Sequence, residues 1–109
     1  MCGICGIWNA GVDELSARAM VERMCAKIEH RGPDEIGLFS GSEIAMGMRR
    51  LSIIDLDSGS QPVFNEDGSI CVMFNGEIYN FLELRAELEA EGVQFKSHTD
   101  TEVILALYA

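Results

Sequence analysis

The apolar positions change period several times along this chain, and each change marks the border of an element. In "CGICGIW", positions 2–8, Ile4, Ile7 and Trp8 alternate loosely with smaller residues, which predicts a short buried strand ending in a turn over positions 9–11. Leu15, Met20, Val21, Met24, Cys25 and Ile28 then recur at helical spacing; Asp13 stands where a cap belongs, and "RGP" ends the run at Gly32 and Pro33. Between positions 36 and 55 the stretches "IGLF", "EIAMGM" and "RLSIID" are separated by Ser, Gly or charge, the pattern of a strand meander. Beyond the surface loop "DLDSGSQP", the segment "PVFNEDGSICVMF" predicts two strands joined across "NEDG" as a hairpin. Helical period returns in "EIYNFLELRAELEAEG", with Tyr79, Leu82, Leu84 and Leu88 near one face and a stop at Gly92. "VQF" predicts a short strand, and in "SHTDTEVILALYA" Thr99 and Glu102 stand in capping-box spacing at the start of a last helix. No repeat, linker or low-complexity tract interrupts the series, so positions 1–109 read as part of one domain of mixed strands and helices.

Composition narrows the partners. With 109 residues, 48% of them hydrophobic, the chain can build a real core. A net charge of -10, with eight Lys and Arg against 18 Asp and Glu, argues against nucleic acid or an anionic membrane surface, both of which attract basic patches. No apolar run approaches the roughly 18 residues of a spanning helix. The first cation is Arg18, too late for the basic start of a signal peptide, so the expected location is cytoplasmic. In that compartment the four cysteines, Cys2, Cys5, Cys25 and Cys71, are expected as reduced thiols.

Cys2 and Cys5 share the C-x-x-C spacing of redox motifs and of half a zinc site. Zinc would need a second close pair, and Cys25, Cys71, His30 and His98 are scattered singly, so no metal is expected. Residues three apart on a strand point to opposite faces, which disfavours a Cys2–Cys5 dithiol; Cys5, Cys25 and Cys71 read best as small core residues. Cys2 differs. If Met1 is cleaved, Cys2 carries its own base, because an α-amino group with a pKa of about 7.7 to 8.0 is partly neutral at cellular pH. Thiolate attack on a carboxamide would give a tetrahedral oxyanion, then a thioester as ammonia leaves, then an acid after water attacks. Gly3 and Gly6 would let backbone and substrate approach closely.

An oxyanion needs donors, and "FNGE" offers the Asn75 side chain and the Gly76 backbone N–H in sequence. Asn-Gly is also a common hairpin turn, yet the helical period downstream argues for a strand-to-helix junction. A free amino acid would further need a cation for its carboxylate and an anion for its ammonium. Arg50 offers a planar fork, and Asp100 or Glu77 the negative charge. Taken singly, each is as well explained as a solvated surface charge, and Asp100 as a helix cap. "HRGPDEIG" reads equally as an ordered loop beside a site or as a plain helix terminator.

Taken in order, "MCGICGIW", "HRGPDEIG", "RRLSIIDLDSGSQPVFNEDGS", "FNGEIYNFLELR" and "SHTDTEVILALY" closely resemble the glutaminase domain of class II glutamine amidotransferases, in the branch of the glutamine-hydrolysing asparagine synthetases. The resemblance spans the whole chain. It implies an α+β fold, the αββα sandwich of antiparallel sheets found in N-terminal nucleophile hydrolases, incomplete here because the family domain is nearly twice as long. It implies Cys2 as nucleophile once exposed by loss of Met1, with Asn75 and Gly76 as oxyanion donors. Glutamine contacts fall on Arg50, Leu51, Ser52, Ile53 and Ile54, on Asn75 and Gly76, and on Glu77 and Asp100. In complete family members ammonia passes to a synthetase domain where ATP and Mg²⁺ activate L-aspartate. The S-G-G-x-D-S phosphate-binding stretch of that domain does not occur in these 109 residues, so no cofactor is expected in this segment.

With the later strands lacking, an apolar sheet face would be exposed and would drive self-association. Two other readings stay open. One is a glutaminase serving a different acceptor or a non-catalytic fragment that pairs with a partner; the other is a dithiol or metal protein built on Cys2 and Cys5.

Overall fold

The computed structural model describes residues 2–51 and 61–109. The alternation at the chain's start sorts the side chains of β1 (Gly3–Trp8) onto two faces with different fates. Gly3, Cys5 and Ile7 turn toward a helix, whereas Ile4 and Trp8 are 53% and 73% exposed, so the strand is buried on one face only. That corrects the expectation of a fully buried strand.

Asp13 accepts the Ser16 backbone N–H at 2.8 Å and starts α1 (Glu14–Lys27), as its position predicts. Ala17, Val21 and Cys25, spaced by four, form the buried stripe of α1 and pack on Ala45, Cys5, Ile7 and Leu38. Leu15, expected on that stripe, is 80% exposed, because two residues before Ala17 it points to the opposite side of the helix. A 3₁₀ turn, Glu29–Arg31, closes the helix before Gly32.

Two antiparallel strands follow, β2 (Glu35–Ser40) and β3 (Ile44–Arg50). They form a hairpin, but the sheet order is β1-β3-β2, so β1 lies along the far side of β3. The register runs from Gly3 opposite Arg49 to Trp8 opposite Ile44. The third stretch of the expected meander supplies Arg50 to the end of β3; Leu51 follows outside any strand, and positions 52–55 lie outside the described residues.

The second hairpin, β4 (Val63–Phe64) with β5 (Cys71–Val72), matches the reading of "NEDG" as its turn. Asn65 Oδ1 accepts the Ile70 N–H at 2.9 Å, Asp67 Oδ1 accepts the Ser69 N–H at 2.9 Å, and Gly68 takes a φ of +74°. Phe64 of this hairpin meets Phe39 of β2 with ring centroids 6.1 Å apart, which seats it on the sheet face opposite α1.

The last helices are α2 (Phe81–Ala90) and α3 (Asp100–Tyr108), with α3 packed on α2 and on both strands of the second hairpin. Helix α2 begins four residues later than the apolar period suggests, leaving Tyr79 92% exposed and turning Leu84 and Leu88 inward. "VQF" pairs with no strand; Phe95 instead lies under the Arg85 guanidinium, 4.5 Å from its ring centroid. Thr99 is the N-cap residue of α3 but makes no side-chain capping bond. Glu102 reaches back past it to the N–H groups of Lys96 and Ser97, at 2.9 and 3.1 Å. No helix among the described residues is long and apolar enough to cross a membrane.

Candidate active site

The register of β1 on β3 decides where the chain's first described residue lies. Because Gly3 faces Arg49, one further step along the antiparallel pair brings Cys2 beside Arg50 and Leu51. The Leu51 backbone nitrogen is 3.4 Å from Cys2 Sγ and donates to it. Arg31 Nε and Asn75 Nδ2 each donate to the Cys2 carbonyl oxygen at 3.0 Å. A Cβ at Gly3 would crowd Ile28 Cδ1 at 3.1 Å and the Arg31 side chain at 3.3 Å, so this glycine leaves room for both side chains.

Cys2, Arg50, Asn75, Gly76 and Asp100 together line one cavity of about 190 Å³, floored by the buried Met48. A roomier groove of about 680 Å³ runs between the second hairpin and α3, past Phe64, Phe95 and Leu105, and holds none of these five residues. Convergent chemistry, not volume, distinguishes the smaller one. Glu77 is exposed and does not line the cavity, so of the two anions considered only Asp100 reaches it. Leu51 approaches through its backbone. Ser52, Ile53 and Ile54 lie outside the described residues.

Two local devices hold the walls. The "HRGPDE" segment lies across the end of β3: Arg49 Nε donates to the Gly32 carbonyl at 2.9 Å, and the Asp34 N–H donates to the Arg50 carbonyl at 3.1 Å. A Cβ at Gly32 would overlap the Arg49–Arg50 peptide, so the approach requires glycine. Arg50 NH1 then meets Glu35 Oε2 at 2.7 Å, with the arginine side chain only 13% exposed. This largely shielded ion pair fixes the direction of the guanidinium. "HRGPDEIG" is therefore a helix terminator that also braces the end of β3, and none of its residues lines the cavity itself.

The opposite wall is "FNGEI". Gln61 acts on it like a neighbouring strand, its Oε1 accepting the Phe74 N–H at 2.6 Å and its Nε2 donating to the Phe74 carbonyl at 3.1 Å. At the other end Asp100 Oδ2 accepts the Ile78 N–H at 3.0 Å. Held at both ends, the segment leaves β5 without turning back as a hairpin, and α2 begins at Phe81. Asn75 and Gly76 thus sit in the connection between a strand and a helix.

Sequence reasoning missed Arg31, Gln61 and Glu35. Arg31 looked like one charge in a helix terminator, and Gln61 like part of a surface loop. Their roles depend on backbone partners 29 and 13 residues away, which no local pattern reports. The C-x-x-C pair is split by the sheet: Cys2 faces the cavity and Cys5 faces α1, where its nearest thiol is Cys25. A Cys2–Cys5 dithiol is thereby excluded by strand geometry.

A model of the glutamine amidotransferase domain matches residues 1–109. The chain belongs to that family. It is 46% identical over 110 residues to asparagine synthetase [glutamine-hydrolyzing] 1 of Bacillus subtilis, covering 99% of this chain and 17% of that protein. It is 41% identical to a probable asparagine synthetase [glutamine-hydrolyzing] of Dictyostelium discoideum, covering 99% of this chain and 20% of the relative. Asparagine synthetase B [glutamine-hydrolyzing] of Escherichia coli is 38% identical, with 99% and 19% covered. This amidotransferase segment thus spans a fifth or less of the length of these curated relatives. Four of the five sequence blocks that carry the family likeness supply residues to the cavity lining, and the fifth, "HRGPDEIG", ties down the end of β3 behind it.

Proposed function

We propose that this segment hydrolyses the side-chain amide of L-glutamine with Cys2 as an N-terminal nucleophile. The observation that carries the reading is the convergence of Cys2, Asn75, Gly76, Arg50 and Asp100 on one cavity. Once Met1 is removed, the Cys2 α-amine takes the thiol proton, and the Leu51 N–H favours the resulting thiolate. The sulfur attacks the amide carbon. Asn75 Nδ2 has two hydrogens; one is used on the Cys2 carbonyl, and the other, with the Gly76 N–H, faces the developing oxyanion. Ammonia leaves, and water then cleaves the thioester to glutamate. Arg50, steadied by Glu35, takes the α-carboxylate with help from the 51–54 backbone. Asp100, oriented by the Ile78 N–H, takes the ammonium, with Glu77 outside the contact.

We further propose that the ammonia goes to ATP-activated L-aspartate, as the printed names of the relatives suggest. ATP and Mg²⁺ act outside these 109 residues on this reading. The antiparallel sheet with α1 on one face, and with Ile4 and Trp8 exposed on the other, supports an αββα sandwich whose second sheet would cover that face. Without that cover, self-association through Ile4 and Trp8 is expected. A cytoplasmic setting fits the reactive thiol.

The test is made on the full protein that bears this segment. Cys2→Ala should abolish glutamine-dependent ammonia release while leaving asparagine synthesis from free ammonia intact. Ammonia release that persists in Cys2→Ala would overturn the nucleophile; loss of both activities with a different product in the wild type would overturn the acceptor.

A further inference from the structure

On the face of β1 turned away from the cavity, Cys5 and Cys25 meet across the contact between β1 and α1 with their sulfurs 3.5 Å apart. Neither lines the Cys2 cavity. Their meeting place is built. Cys5 Sγ lies 3.7 Å from the Gly47 carbonyl oxygen and 4.0 Å from that of Val21. Beneath the pair stands Gly47, where a Cβ would overlap Cys25 Sγ and crowd Cys5 Sγ at 3.3 Å. The missing side chain on β3 is what leaves room for both sulfurs. A disulfide bond is about 2.05 Å long, so from 3.5 Å the sulfurs need to close by roughly 1.5 Å.

We propose that Cys5 and Cys25 form a peroxide-oxidisable dithiol that closes into a disulfide tying β1 to α1. The two thiols are unequal. Cys5 is half-buried and Cys25 is buried, so a small hydroperoxide reaches Cys5 first. Desolvation, reinforced by the neighbouring Cys5, pushes the Cys25 thiol up to about 12, which disfavours Cys25 as the thiol that peroxide oxidises first; it is the resolving partner by position, 3.5 Å from the Cys5 sulfur.

In the first step Cys5 sulfur attacks the hydroperoxide. An S–O bond forms, the O–O bond breaks, and the alcohol or water departs with the Cys5 proton, leaving a sulfenic acid. In the second step Cys25 sulfur attacks the sulfenic sulfur. The S–S bond forms, the S–O bond breaks, and hydroxide leaves as water with the Cys25 proton. The two thiols together lose two electrons, and one hydroperoxide gains them. The bridge would sit three residues along β1 from the proposed nucleophile, on the opposite face of the sheet.

The experiment uses the full protein in a Cys2→Ala background, which removes the competing thiol. Hydrogen peroxide treatment, alkylation after denaturation and digestion without reductant should yield a Cys5–Cys25 peptide pair and the loss of two alkylatable thiols, both reversed by dithiothreitol. In Cys25→Ala, Cys5 should stop at a sulfenic acid trapped by dimedone. In Cys5→Ala, which spares the buried thiol should Cys25→Ala fail to fold, Cys25 should stay fully alkylatable. The proposal is overturned if Cys5 passes to sulfinic acid in the presence of Cys25, if either residue pairs with another cysteine instead, or if both remain free thiols.

Discussion

The Leu51 backbone nitrogen donates to Cys2 Sγ across 3.4 Å, so the end of β3 addresses the chain's start through main chain rather than side chain. A hydrogen bond to a charged acceptor is worth about 1.5–3 kcal/mol, and about 1.4 kcal/mol is a factor of ten. Since the thiolate is the reactive form, Leu51→Pro, which removes the donor, should slow alkylation of Cys2 by iodoacetamide at neutral pH by roughly tenfold. Comparing rates in Leu51→Pro and wild type, with circular dichroism to verify the fold, checks this. Equal rates would show that the contact does nothing for the sulfur.

Asn75 Nδ2 rests on the Cys2 carbonyl at 3.0 Å, with a second hydrogen to offer. Loss of an oxyanion donor lowers kcat by about 10²–10³. Asn75→Ala should show that loss in kcat for glutamine hydrolysis with little change in KM. A fall in activity carried by KM alone would make Asn75 a residue that only positions Cys2.

The fold was legible where the deciding interactions are local. Asp13 caps α1 through Ser16, and Asn65 and Asp67 close the second hairpin through side chains within five residues. It was not legible where tertiary partners take over. The Ile78 N–H goes to Asp100, 22 residues on, and α2 begins only at Phe81 despite good helical spacing from Glu77. Val93 and Phe95 have strand-like character, but without a strand to pair with they become a loop under Arg85. In the site, the expected Cys2, Arg50, Asn75, Gly76 and Asp100 fall together on one cavity, whereas Glu77 does not line it and Ser52, Ile53 and Ile54 lie outside the described residues. The second layer, Arg31, Gln61 and Glu35, was not legible, because each acts on backbone or charge far away in sequence.

Arg50 meets Glu35 at 2.7 Å with its guanidinium largely shielded from water. A lysine there would offer one compact ammonium in place of a planar fork, unable to hold Glu35 and a substrate carboxylate in the same geometry. Arg50→Lys is therefore expected to raise KM for glutamine about tenfold or more while kcat changes less. Steady-state kinetics decide it, and an unaltered KM would remove Arg50 from substrate binding.

Gly32 lies against the Arg49–Arg50 peptide; its own carbonyl accepts from Arg49 Nε, and the Asp34 N–H donates to the Arg50 carbonyl. The overlapping atoms are backbone, so nothing can rotate aside. Gly32→Ala should destabilise the protein by about 1–3 kcal/mol, the usual cost of forced overpacking, and should weaken glutamine binding as the end of β3 shifts. Denaturant unfolding measures the first effect and KM the second. Gly68→Ala is the control for removing a glycine as such: its φ of +74° brings strain, but a Cβ there meets nothing within 4 Å, so stability should fall while KM holds.

Cys25 sets the alkaline limit of the α1 contact with the sheet. Its thiol is buried on Val21, Ala17 and Ala45, and burial with Cys5 alongside raises its pKa from 9.0 to about 12. Above the unfolded value the unfolded chain loses this proton while the folded chain keeps it, so the folded state binds more protons and stability falls as pH rises. The thiol's contribution is fully present below about pH 9 and is lost progressively toward pH 12. Wild-type protein should thus lose stability to urea between pH 9 and pH 11, well beyond what Cys25→Ala loses over the same interval. The alanine variant, with a smaller side chain in the core, should start less stable at pH 7, so the two curves converge as pH rises. Parallel curves would mean that Cys25 is not held protonated by the fold, and would also remove one reason that peroxide oxidises Cys5 first.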